Sequence, residues 1–262
     1  MAVEWVVNYD CQAKQELDTE GILGALRARG QAEAIIEVIR RDEPDKPIED
    51  MTAQHRAFTP EGVTTKEVRV ADLLQQAKSL EPHEAACEEC PGNVLGHPFG
   101  CFGEISYPFT AEGERWLLDQ LPESVDTLVG VFLKGAKEDL EWDGAPYAAL
   151  RRQGDGFFEL KRAPVKKWGR VLGRFVVSAD ELYYAMFPAE IQPVHAAMLC
   201  VFVGAIGGEK LPRFLNSLDT RALPDFQFDP DAEDERTTSQ LQMYFEGLYT
   251  AARLGVTVSI DQ

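Results

Sequence analysis

Three of the five cysteines fall inside one short run, Cys87-x2-Cys90-x10-Cys101. Two thiolates two residues apart can reach the same ion, and zinc takes four such ligands in a tetrahedron. The segment around them also holds Pro91, Gly92, Gly96, Pro98, Gly100 and Gly103, a composition that leaves little room for long regular structure. A bound ion is the natural way to order such a loop, so zinc is the expected cofactor and its role structural. The fourth ligand is expected from Cys11 or from His97, with His83 behind them. His97 gives a self-contained Cys-x2-Cys-x6-His-x3-Cys site, and His83 stands four residues before Cys87. An iron–sulfur cluster or a reactive dithiol at Cys87 and Cys90 is the alternative use of the same residues. His83-Glu84-Ala85-Ala86-Cys87 differs from the metalloprotease helix motif in its last residue, which excludes that reading.

A second chemistry is written in charge. Residues 151–174 hold eight basic side chains against Asp155 and Glu159, a segment of net +6 in a chain of net charge -18. Arg162, Lys166, Lys167, Trp168 and Arg170 form a candidate site for an anionic small molecule, with Trp168 available for stacking. The competing reading is a solvated basic face that offsets the surrounding acid. The whole-chain charge disfavours nucleic acid, whose phosphates it would repel. The acidic stretch Asp229–Glu235 lacks the glycine and the closing glutamate of a calcium loop, so calcium is not expected. No Gly-x-Ser-x-Gly elbow, phosphate-binding Gly-x4-Gly-Lys loop or dinucleotide fingerprint is present. Cys200 and His195 sit in one apolar stretch and are expected to be ordinary core or surface residues.

The elements that must position these groups follow from periodicity. With 45% apolar and 27% charged residues, the chain has the composition of a folded globular protein. Val3, Trp5, Val7, Tyr9 and Cys11 alternate as on a strand. Residues 19–41 carry a helical apolar pattern that Gly30 is expected to divide, and residues 42–62 are expected to form a loop. A second strand is expected at 66–70, and a helix from Asp72 that Pro82 ends or re-starts. Thr110 is a predicted N-cap, and a further helix is expected from about 124 to 140. Residues 157–162 and 171–177 read as a hairpin around a 164–169 connection. Ser178-x-x-Glu181 is a capping box. The uncharged run 191–208 contains Pro and several Gly, so a buried helix is expected and not a membrane span. A last helix begins at Thr237-x-x-Gln240, and a strand closes the chain near 256–260.

Strands and helices mix without a βαβ rhythm, which predicts an α+β fold: a mixed or antiparallel sheet packed with several helices, plus the Gly/Pro-rich cysteine loop. One compact unit over 1–262 is expected, with a possible division into 1–108, carrying the cysteine loop at 83–104, and 109–262. The opening residues Met1-Ala2-Val3-Glu4-Trp5 have neither the basic nor the apolar region of a secretory signal, so reduced thiols and a cytoplasmic location are expected. The functional expectation is an acidic, zinc-stabilised protein that acts by binding or regulation. A thiol or iron–sulfur redox protein, or a binder or enzyme for an anionic small molecule at 151–174, are the alternatives.

Overall fold

The structure, a computed structural model, describes residues 2–59, 62–154, 156–169, 175–207, 223–231 and 233–261. The fold is α+β, with an antiparallel four-stranded sheet, two small hairpins and a majority of helix. The chain separates into two units, Asp10–Cys90, and Met1–Tyr9 together with Pro91–Gln262. The first strand, β1 (Ala2–Val7), belongs to the larger unit. It stops four residues before Cys11; just past its end the Asn8 backbone N–H donates to the Thr257 carbonyl and the Asn8 side-chain amide to the Thr257 and Ser259 hydroxyls.

The Asp10–Cys90 unit is built on a long helix, α1 (Gln12–Asp42). Gly30 does not divide it. The interruption is at Asp18, which has φ 54 and ψ 173. Aspartate tolerates that left-handed φ better than most residues. Its Oδ1 accepts the Gly21 amide at 2.7 Å, so Asp18 caps the longer part of the helix. Ala32 of α1 joins Met51 and Val70 in a small core flanked by Ile35, Ile36, Ile39, Leu73 and Leu74. Residues 42–62 are not simply a loop. They contain β2 (Thr52–Thr59), which pairs antiparallel with β3 (Gly62–Arg69) from Thr52 opposite Arg69 to Thr59 opposite Gly62. β2 has no apolar alternation to announce it. Next come α2 (Val70–Ala77), a 3-10 turn over Lys78–His83 that accommodates Pro82, and α3 (Glu84–Cys87). An Arg29–Glu84 ion pair of 2.7 Å ties α1 to α3. Residues 88–101 carry turns and bends and neither helix nor strand.

In the larger unit β1 lies between β4 (Phe102–Ser106) and the strand β8 (Val258–Asp261), and the two-residue β7 (Glu190–Ile191) extends the far edge beside β8. Between β4 and β8 run α4 (Ala111–Asp119), α5 (Leu128–Asp139), α6 (Ala145–Gln153), the β5 (Val165–Trp168) and β6 (Phe175–Ser178) hairpin, α7 (Ala179–Met186), α8 (Pro193–Phe202) and α9 (Arg236–Leu254). α9 packs on β1, β4, α4 and α8 through a face that includes Leu241, Tyr244, Phe245 and Leu248.

Local signals place several of these boundaries. Thr110 Oγ1 accepts the Gly113 amide, and Ser178 and Glu181 form both halves of the capping box. α9 begins one residue earlier than Thr237, because the Glu235 carboxylate takes the Thr237 and Thr238 amides. Gln240 instead bonds across to the Ser106 amide at 3.0 Å. The hairpin differs from the expectation. Phe157–Arg162 is not a strand, since Phe157 and Phe158 turn into an aromatic cluster with Phe109 and Tyr183. The expected connection supplies the strand itself, with Trp168 opposite Phe175.

Candidate functional site

Cys87 and Cys90 belong to the Asp10–Cys90 unit, and His97 and Cys101 to the other. Cys87 is buried and is the last residue of α3, and the Cys90 amide donates to the Cys87 carbonyl at 3.3 Å across a tight turn. As the end of its helix and not the start, Cys87 lacks the helix N-terminal position that activates many redox thiols. Cys101 is buried, while His97 is exposed with its Nδ1 3.0 Å from the Pro98 carbonyl. Cys11 stands at the N-cap of α1 without capping it, and His83 is buried with Nε2 4.0 Å from Glu16 Oε2. Among the described residues, no group of three or more His, Cys, Asp and Glu side chains is gathered as a cation site. Cys200 is fully buried in α8. Burial pushes its thiol pKa far up, and its Sγ donates to the Phe245 carbonyl, which makes it an inert core residue.

The basic segment is taken apart by the fold. Arg162 and Lys167 are exposed, and Arg170 lies outside the described residues. Lys166 Nζ donates to the Leu121 carbonyl at 2.6 Å. Trp168 is 6% exposed, stacks on Phe175, and donates its indole N–H to the Pro122 carbonyl, so it offers no open ring to a ligand. Arg151 turns inward. Its Nε donates to Asp180 Oδ1 at 2.6 Å, Nη1 to Glu114 Oε2 at 3.0 Å and to the Leu160 carbonyl at 3.0 Å, and Nη2 to Glu114 Oε1. The guanidinium also lies 3.7 Å from the centre of the Phe158 ring. Glu114 is 0% exposed and Asp180 5%. Burial raises both carboxyl pKa values, and the Arg151 bonds and charge only partly offset that rise. Burial lowers the Arg151 pKa, but its two carboxylate partners outweigh that effect and hold the guanidinium charged.

This buried cluster locks α4, α6 and α7 together, and α6 and α7 form the walls of a cavity. The cavity has a volume of about 470 Å³. Trp142, Tyr147 and Phe187 line it as buried side chains, while Leu140 and Tyr184, 53% and 42% exposed, stand at its rim. Tyr147 lies one helical turn before Arg151 on α6, and its ring is 6.5 Å from Phe187. Among the described residues that line the cavity there is no Lys, Arg, Asp or Glu. His195 of α8 also lines it, with a pKa lowered by burial, so the ring is neutral at neutral pH. Its buried Nε2 has no hydrogen-bond partner among the described residues.

Spacing along the chain does not reveal this site. Its members come from the end of α5, from α6, from α7 and from α8. The one available signal was the density of aromatic residues at 142–158 and 183–187. Comparison with protein-family models, with curated proteins and with solved structures finds no match to the chain. No helix among the described residues is long and apolar enough to cross a membrane.

Proposed function

We propose that the Met1–Tyr9 and Pro91–Gln262 unit is a receptor for a small organic molecule, bound in the cavity between α6, α7 and α8. The observation that supports this reading is the cavity itself. Its volume lies in the usual range of small-molecule sites, about 300–1,000 Å³, and its walls are apolar and aromatic with a few polar atoms, the usual composition of such sites. The buried Glu114–Arg151–Asp180 cluster joins α6 and α7, whose residues line the cavity, and so gives the site a fixed frame, as ligand sites need.

The test uses a neutral fluorescent probe, N-phenyl-1-naphthylamine, titrated into the full chain. Saturable binding is expected, and Leu150→Trp, which fills the cavity from a half-buried position, should abolish it while leaving the far-ultraviolet circular dichroism unchanged. Equal binding by the parent and the variant, or none by either, would sink the reading.

A zinc ion on Cys87, Cys90 and Cys101, with Cys11 or His97 completing the set, is a second reading. It is supported by the ligand spacing and by the turn that joins Cys87 to Cys90. Elemental analysis of purified protein should then give about one zinc per chain, lost in Cys87→Ser. Iron with visible colour would favour the cluster alternative, and metal-free, stable protein would end both.

A further inference from the structure

We propose that the ligand of this cavity is an organic cation without N–H donors, a quaternary ammonium carried on an apolar skeleton; the proposal rests on the reading of the cavity as a ligand site. The argument begins with the walls. Trp142, Tyr147, Tyr184 and Phe187 bring four aromatic rings to one enclosure. Aromatic faces carry partial negative charge, and a cation within about 6 Å of a ring centre is attracted to it, most strongly by indole. The described lining residues supply no carboxylate, so a primary ammonium would give up its water for neutral acceptors alone, the His195 ring and the tyrosine hydroxyls, too few and too weak for its three N–H groups. A quaternary ammonium has no N–H to satisfy and loses least on entry.

The surrounding charge favours the same class. The lining holds no Lys or Arg among the described residues, and burial lowers the His195 pKa, so no fixed positive charge there would balance an anion. One helical turn along α6 from Tyr147, two carboxylates face one guanidinium, which leaves the Glu114–Arg151–Asp180 cluster net negative when both acids are ionised. At longer range, a chain of net charge -18 concentrates cations at its surface.

The experiment compares benzyltrimethylammonium with neopentylbenzene, its uncharged carbon isostere, by ligand-observed NMR titration of the full chain in about 0.15 M salt. The two probes have the same shape and apolar skeleton and differ in charge. The cation is expected to bind about two- to thirtyfold more tightly, the range that ring–cation attraction supplies. Tyr184→Leu, at the exposed rim where folding is least at risk, should reduce that ratio, and Trp142→Leu should reduce it further. Equal affinities would overturn the cation assignment and leave the ligand site standing. Binding by neither probe would overturn both. A preference for the cation that disappears in 1 M salt and ignores both ring substitutions would assign the effect to surface charge and also overturn the proposal.

Discussion

Replacing Arg151 by Met should cost about 3–5 kcal/mol of folding stability near neutral pH, read from urea denaturation. The loss is large because of what stays behind. Glu114 is 0% exposed and Asp180 5%, and without the guanidinium two carboxylates lie in the core with no counter-charge from it. An exposed ion pair would contribute well under that amount, since water screens it. The deficit should have a definite pH dependence. Burial already places both folded carboxyl pKa values above their unfolded ones. The folded protein therefore holds these protons more tightly. Their stabilising effect is complete below the unfolded carboxylate pKa, about 4, and is lost as pH rises through the folded values. Removing Arg151 takes away what holds those values down, so the window extends to higher pH and the Arg151→Met deficit shrinks on acidification. Adding Glu114→Gln to the variant should restore part of the stability at neutral pH, because it removes one buried charge. A loss below about 1 kcal/mol, or a deficit independent of pH, would show that the cluster is hydrated and not a packed core element.

The second large effect is expected at Trp5, where truncation to Ala should cost about 3–5 kcal/mol. Trp5 is 1% exposed on the central β1, edge-on to Tyr244 with ring centres 6.1 Å apart. Two glycines make its space. A Cβ at Gly103 would sit 2.1 Å from the indole, and one at Gly247 2.7 Å from it. Gly103→Ala should therefore destabilise by overpacking, about 1–3 kcal/mol. The two changes share one contact, so the double variant Trp5→Ala/Gly103→Ala should lose less than the two single losses together. Additive losses in thermal or urea denaturation would show that the glycine and the indole do not share a packing constraint.

These two sites also show how far the sequence could be read. Trp5 was marked by the alternation Val3, Trp5, Val7, which the sheet keeps with all three buried. That alternation does not say which glycines meet the ring, since Gly103 and Gly247 arrive from β4 and α9. Arg151 was counted in a basic segment, because a charge run by its nature reads as solvated. Its partners Glu114 and Asp180 lie 37 and 29 residues away among 44 acids, and no pattern selects them. β2, in a segment whose sequence reads as loop, and Phe157–Arg162, whose sequence reads as strand, depart from expectation for a related reason. Strand propensity reports fit to a half-buried pleat, and tertiary neighbours decide whether a pleat forms.

What the sequence determined by itself is what short-range chemistry controls. The fold class, the Thr110 cap, the Ser178–Glu181 capping box, the apolar face of α9 and the closing strand all depend on residues within about one turn of each other or on a single period. The cysteine spacing belongs to the same category, which is why it stands out and why it names no complete ligand set. Only the tertiary structure decided that Arg151 is a core residue, that Trp168 is covered, and that aromatic side chains from separate helices enclose one cavity. The physical reason is burial. The free energy of a charge or a ring depends on the medium around it, and that medium is made of residues distant in sequence.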